Sequence, residues 1–458
     1  MSEAPVSIDE GGAALERARR KAYWRVIPLV FLCYAIAYID RTNIAFAKLT
    51  MAKDLGFDDE IFGTGFGIFF LGYVLLEVPG ALIVERWSAR KWMSRIMITW
   101  GIVAALTALV KTPAQFYGMR FLLGLAEAGF FPGAIVYLTH WFPARDRARA
   151  LALLIVAAPI AQLVSQRVSV PMLRFGATEI VNGVTVTTPA FHGLHGWQLL
   201  YVVWAMPAVL LGLVVLFGLT DRPAQARWLT DEERAALEMA LARERASQGT
   251  VKHLRVGEAL RNPAILLLAL ANFLITSAHY GIEAFLPTIL QSWFHLRISD
   301  VAWAALPSFA VILLAELGVS WSSDRRGERW RHTFVPMFWG SAVLVLTLLG
   351  RANYALTIVL FALAVGGVRS YVAPFYALPK FFLDGTAAAG AIGFINAVAN
   401  LGGFVGPRTL GWLSKSTGSF VSGLIYLAVT SALAGACIVV LRAYHRRRAA
   451  ERLGAVTS

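Results

Sequence analysis

The chain reads as an all-α membrane protein, with twelve transmembrane helices arranged as two pseudo-symmetric six-helix bundles. Three observations carry that reading. Of 458 residues, 57% are hydrophobic and only 15% charged, a balance far too apolar for a soluble globular chain. Windows long enough to cross about 30 Å of hydrocarbon recur six at a time on either side of one long polar segment. The net charge of +14 is gathered in short Lys/Arg runs between those windows, which is the signature of membrane topology and not of a nucleic-acid surface.

In chain order the first six windows fall near 26–47, 61–84, 93–111, 114–140, 147–171 and 197–219. The second six fall near 263–291, 299–322, 333–350, 353–378, 386–412 and 419–442. They divide the chain into an arm (1–25), a first bundle (26–219), a linker (220–262), a second bundle (263–442) and a basic tail (443–458). The linker carries Asp221, Arg222, Asp231, Glu232, Glu233 and an Ala/Glu/Arg-rich run, suited in part to an amphipathic surface helix. The arm ends in Arg17, Arg19, Arg20 and Lys21 with no short apolar core and cleavage site, so the first span reads as an uncleaved signal anchor.

The basic runs fix an expected orientation. The arm, Arg86 to Arg95, Arg145 to Arg149, the linker, Arg325 to Arg331 and Arg446 to Arg448 all fall on one side. The other side holds Asp54, Asp58, Asp59 and Glu60. By the positive-inside bias both termini are cytoplasmic, in a cell membrane expected to be a bacterial inner membrane. The halves also echo each other: Glu85, Arg86 and Arg90 follow the second window with the spacing at which Asp324, Arg325 and Arg329 follow the eighth, the trace of an internal repeat.

Charged residues inside the windows mark the candidate site. An ionised side chain at mid-membrane costs about 2.5–3.5 kcal/mol on insertion scales, so it faces a bundle interior or a watered cavity. Arg120 and Glu127 lie seven residues apart in the fourth window, on nearly the same helical face. Asp40 and Arg41 are adjacent in the first. Arg41 offers a planar fork for bidentate capture of a carboxylate, and a desolvated Asp40 is a proton-binding switch; the bland alternative is that the two simply neutralise each other. Exchange of arginine partners upon protonation of Asp40 and Glu127, with Arg120 taking part, would couple proton to substrate occupancy. Tyr38, Tyr73, Gln162, Gln166, Tyr376, Asn396 and Asn400 are polar groups able to orient a hydroxylated acid, each equally suited to an interhelical hydrogen bond. Glu77 suits a gate or structural role. Cys33 and Cys437 sit in apolar runs, with no disulfide framework or metal site indicated.

Several stretches resemble one family. FLCYAIAYIDRTNIAFA around Asp40 and Arg41, LLEVPG with Glu77, the run RFLLGLAEAGFFPGAIVYLTHWFPARDRARA from Arg120, LPTIL from Leu286, SDRRGERW from Ser323 and GFINAVANLGGFVGP from Gly393 are similar to the major facilitator superfamily. The likeness is to its anion:cation symporters, which include permeases for sugar acids, tartrate and aromatic carboxylates. It implies a substrate-contacting role for Arg41, a proton-coupling role for Asp40, and a cavity lined by the matching tyrosine, glutamine and asparagine positions. The chain departs from the family at Trp87 and Ser88, and at Arg167, Arg369 and Arg408. Two readings of those arginines stand: a more electropositive cavity for a substrate with several carboxylates, or internal pairing with Glu283 and Glu316. His279 shares a face with Asn272, Thr276 and Glu283 and suits a structural role.

The expected function is therefore proton-coupled symport of a small organic anion by alternating access. The alternative is a proton-driven exporter or antiporter. No nucleophile and base pair, phosphate loop or metal cluster is present in the sequence, so neither an enzyme nor a cofactor is indicated. The expected partners are the organic anion, protons and the lipid bilayer, with no nucleic acid, around a monomer.

Overall fold

In a computed structural model of the chain, residues 8–181, 184–247, 262–383 and 385–457 are described. Among them, twelve helices are long and apolar enough to cross a membrane. The first six spans are Ile8–Leu55, Asp59–Arg86, Ala89–Leu106, Pro113–Glu127 continued by Phe130–Trp141, Ala144–Leu173 and Gly196–Gly218. The second six are Pro263–Phe294, Ile298–Arg326, Trp330–Gly350, Tyr354–Arg369 continued by Val372–Ala377, Gly385–Thr417 and Phe420–Thr457. A short hairpin, β1 Thr178–Val181 with β2 Val184–Thr187, joins the fifth span to the sixth.

The arm and the tail are helical extensions of the first and last spans. No glycine or proline separates Ala13 from Arg25, and an Ala/Arg/Glu/Leu run has no reason to stop a helix. The extension buries Ala14, Ala18 and Ala22 against a linker helix, Asp231–Ser247. Lys21 pairs with Glu233 at 2.7 Å, and Arg19 grips Asp146 with two bonds of 2.5 Å. Residues 248–261 of the linker lie outside the described residues.

Internal repetition is explicit in the packing. In the first half the first span packs on the fifth and sixth, the third on the sixth and fourth, and the second on the fourth. In the second half the seventh packs on the eleventh and twelfth, the ninth on the twelfth and tenth, and the eighth on the tenth. Adding six to each partner in the first set gives the second. The interface obeys the same rule: the second span meets the eleventh, the fifth meets the eighth, and the first meets the seventh.

Small residues make the longest of these seams possible. A Cβ at Gly63 would stand 2.3 Å from the Pro407 carbonyl oxygen, and one at Gly67 2.6 Å from that of Phe404. The second and eleventh spans therefore meet backbone to backbone. At their acidic end Ser414 donates to Asp59 at 2.6 Å, and Lys415 reaches Asp58 and Glu60 at 3.0 and 2.8 Å. Lys48 of the first span joins the same group, 2.7 Å from Asp59 and 3.9 Å from the centre of the Phe285 ring.

The fourth span is not the continuous helix that its apolar run predicts. It breaks at Ala128 and Gly129, the latter with φ of +85°. The cause is a close crossing: a Cβ on Gly129 would lie 2.8 Å from the Cα of Gly80. The tenth span, its counterpart in the repeat, breaks directly after Arg369.

Candidate functional site

Glu127 ends the first segment of the fourth span and is buried there. Its carboxylate pairs with the guanidinium of Arg41 from the first span. Two rings of the second span flank that guanidinium, Tyr73 at 5.0 Å and Phe69 at 5.2 Å from centre to Cζ, a geometry suited to a planar cation. Glu127 thus takes Arg41, not the Arg120 of its own helix. Arg120, fully buried, donates from Nε to the Gly65 carbonyl at 3.1 Å and leaves Nη1 and Nη2 without hydrogen bonds. Asp40 does not pair with its neighbour Arg41, because adjacent helical residues point about 100° apart. It is buried near Trp100 and within electrostatic reach of Arg120 and Glu127, with neither carboxylate oxygen hydrogen-bonded.

The second half carries its own buried ion pair. Arg369, at the break of the tenth span, lies 3.1 Å from Glu316 of the eighth. Beside it is a cavity of about 110 Å³ whose walls include Asn272, His279, Tyr280, Tyr376, Asn396 and Asn400. Four of the residues picked out in the sequence, Arg369, Tyr376, Asn396 and Asn400, therefore converge on one space. A chain of hydrogen bonds binds its wall: Tyr371 to Asn272 at 2.9 Å, Asn272 to Tyr376 at 3.3 Å, and Tyr376 to Asn396 at 3.1 Å.

Two carboxylates cross between the halves. Glu77, from the second span, accepts from Asn396 at 2.7 Å and from Asn400 at 2.9 Å. Glu283, from the seventh, accepts from Gln162 of the fifth span and, at 3.4 Å, from the Tyr38 hydroxyl of the first. The amide donors come from counterpart spans, the fifth and the eleventh, whereas the carboxylates come from the second and the seventh, which are not counterparts. His279 stands 3.3 Å from the other Glu283 oxygen.

A sequence model of the Major Facilitator Superfamily matches residues 30–331. The chain belongs to that superfamily. A protein of Agrobacterium vitis named as a tartrate transporter is 42% identical over 416 residues, covering 90% of this chain and 88% of its own length. A quinolone resistance transporter of Acinetobacter baumannii is 36% identical over 418 residues, covering 90% and 91%. Among solved structures, a bacterial homologue of the human lysosomal transporter Spinster superposes with a TM-score of 0.69 at 16% identity, over 93% of this chain and 96% of that one. Membership makes this chain a multi-pass membrane transporter of the facilitator fold and not an enzyme, in keeping with the resemblance read from its motifs.

Within the facilitator fold, other singled-out residues lie apart from the central groups. Arg167 is exposed, 3.9 Å from the centre of the Trp303 ring across the contact of the fifth and eighth spans. Arg408 is exposed beside Phe404. Neither lines the cavity beside Arg369, so their placement does not favour the reading as extra substrate arginines, whereas Arg369 adopts the internal pairing. Gln166 is buried with both side-chain polar atoms unbonded, on the wall of a separate space of about 240 Å³ that Arg167 and Trp303 share. At the basic end, Arg329 pairs with Asp324 at 2.5 Å and Arg325 lies over Trp321. The side chains of Glu85 and Arg86 lie outside the described residues. Asp221 occupies that region instead, accepting from the Arg90 N–H and the Ser88 hydroxyl, both at 2.8 Å. Ser88 also caps the third span, its hydroxyl accepting from the Lys91 N–H.

Asn272, Thr276 and His279, at helical spacing in the seventh span, form part of the cavity wall, and that polar stripe, which continues to Glu283, is the signal in the sequence for more than a neutralising or structural role. Lys48 and Tyr280 are not singled out by the sequence: Lys48 falls just past the end of the first window, and one ring in an apolar window leaves no periodic trace.

Proposed function

We propose that the chain is a proton-coupled importer of a small hydroxylated organic anion, working by alternating access around the interface of its halves, with both termini cytoplasmic in a bacterial inner membrane. The observation that carries this is the pair of Arg41 with Glu127. Arg41 is the group best shaped to hold a substrate carboxylate, and it is paired with a protein carboxylate, that of Glu127. A proton on Glu127 weakens that pair and frees the guanidinium, and a substrate carboxylate on Arg41 in turn makes Glu127 easier to protonate. The two occupancies reinforce each other, which is the thermodynamic content of symport. Asp40 and Arg120 stand one step behind, as a buried carboxylate and an arginine with free donors that can exchange partners with the pair. The relative named for tartrate supports an anionic cargo.

The test is uptake into proteoliposomes under an inward proton gradient. Glu127→Gln is expected to keep substrate exchange and to lose accumulation driven by the pH gradient; retained accumulation removes Glu127 from the coupling. The relative named for quinolone resistance supports a second reading, proton-driven export. The same vesicles separate the two, since an exporter accumulates its cargo only when the gradient is reversed.

A further inference from the structure

Glu283, like Glu77, is a carboxylate crossing between the halves that the coupling scheme does not use. Its side chain is 5% exposed, and it projects from the second half to take hydrogen bonds from Tyr38 and Gln162 of the first. Those are two of the groups singled out to orient substrate. The nearby cations are committed elsewhere: Arg369 pairs with Glu316 and Arg41 with Glu127. Among the described residues, the one basic side chain within ion-pair distance of Glu283 is His279, which is itself buried and makes no hydrogen bond. Tyr280, within electrostatic reach, brings only a hydroxyl.

Glu283 is therefore an acceptor-rich point with no arginine or lysine among the described residues at ion-pair distance, lying within electrostatic reach of Arg369 and Arg41. A substrate carboxylate held by Arg41 is at the attractive end of this arrangement. A second carboxylate directed at Glu283 meets like charge with Tyr38 and Gln162 already engaged, whereas a hydroxyl or ammonium finds an acceptor.

Resting on the organic-anion reading above, we infer that Glu283 is a specificity-determining residue: it selects acids whose end remote from the Arg41-bound carboxylate carries a hydrogen-bond donor, and it disfavours dicarboxylates. The preferred cargo is a hydroxy acid or a zwitterionic acid. Tyr38 and Gln162 hold Glu283 in place and turn with it toward the donor.

The experiment measures binding to the full-length protein in nanodiscs, and inhibition of uptake, with two matched series at neutral pH. One is 4-hydroxybutyrate, 4-aminobutyrate, butyrate and succinate. The other is 3-(hydroxymethyl)benzoate, 3-(aminomethyl)benzoate, 3-methylbenzoate and benzene-1,3-dicarboxylate. The wild type is expected to favour the hydroxyl or amino member over the dicarboxylate at least tenfold in one series, and Glu283→Gln to cut that ratio at least fivefold by improving the dicarboxylate. A merely structural role would weaken all members together and leave the ratio unchanged. Equal binding of donor and dicarboxylate by the wild type overturns the proposal without recourse to any variant. If the acids bind but the Glu283→Gln ratio stays at the wild-type value, Glu283 is not the selecting group. If no acid of either series binds, the organic-anion reading itself fails and this proposal with it.

Discussion

Lys48 shows how much a single residue is asked to do in this interface. Its ammonium is buried among Phe62, Phe285 and Phe420, with Asp59 as its ion-pair partner. Removing one member of such a pair strands the other charge, while replacing both with neutral groups need not. Asp59→Ala is accordingly expected to lower stability by about 3 kcal/mol, and the double change Asp59→Asn with Lys48→Met to recover most of it; thermal unfolding of the purified variants reads both. At this scale the sequence was partly legible. Arg41, Glu127, Asp40 and Arg120 declare themselves because charge inside an apolar window is rare and costly. Which carboxylate meets which arginine is not declared, because partners on different spans are brought together by packing. The pairing of Arg41 with Glu127, and the loss of Arg120 to a backbone carbonyl, belong to that second kind of information.

Two spans of this chain are interrupted beside a buried charge. The fourth span breaks after Glu127 and the tenth after Arg369, at corresponding members of the repeat. Irregular backbone at membrane depth is tolerated where it borders protein or a watered space, and each break adjoins a buried ion pair. Gly129 holds the first break in a left-handed conformation against Gly80. Gly129→Ala is expected to destabilise by about 2 kcal/mol or more, from backbone strain and the blocked crossing. Gly118, exposed in the same span with open space at its Cβ position, is the control: Gly118→Ala is expected to be neutral or to gain up to about 1 kcal/mol. Unfolding midpoints of the two variants provide the comparison. Twelve windows were plain from hydropathy because each span must bury or expose apolar surface along its whole length. The break was hidden because Gly80, which forces it, lies some fifty residues away in the chain.

For the molecule as a whole, the repeat is deeper than the loop motif that suggested it. The spacing shared by Glu85, Arg86 and Arg90 with Asp324, Arg325 and Arg329 pointed to two related halves, and the helix neighbours correspond throughout. The basic end is bound together differently, by the linker helix. Burial alone would raise the Glu233 carboxyl, but the Lys21 ammonium and the Thr230 N–H outweigh it and hold that carboxyl below its usual range. A depressed carboxyl stabilises the fold above its unfolded value of about 4.3 and loses that contribution as the pH falls through the folded value. The stability difference between wild type and Glu233→Gln should thus be full at pH 7 and shrink below about pH 4, as followed by unfolding across that range; a difference that persists in acid would mean that Glu233 acts by packing. The crossed carboxylates Glu77 and Glu283 have a consequence for the return stroke. A carrier that has released its cargo must still reorient, and amides left bare while the interface closes would lose water without compensation. Here Asn396, Asn400 and Gln162 each donate to a carboxylate of the opposite half, so the protein's own side chains can satisfy those donors where the halves meet.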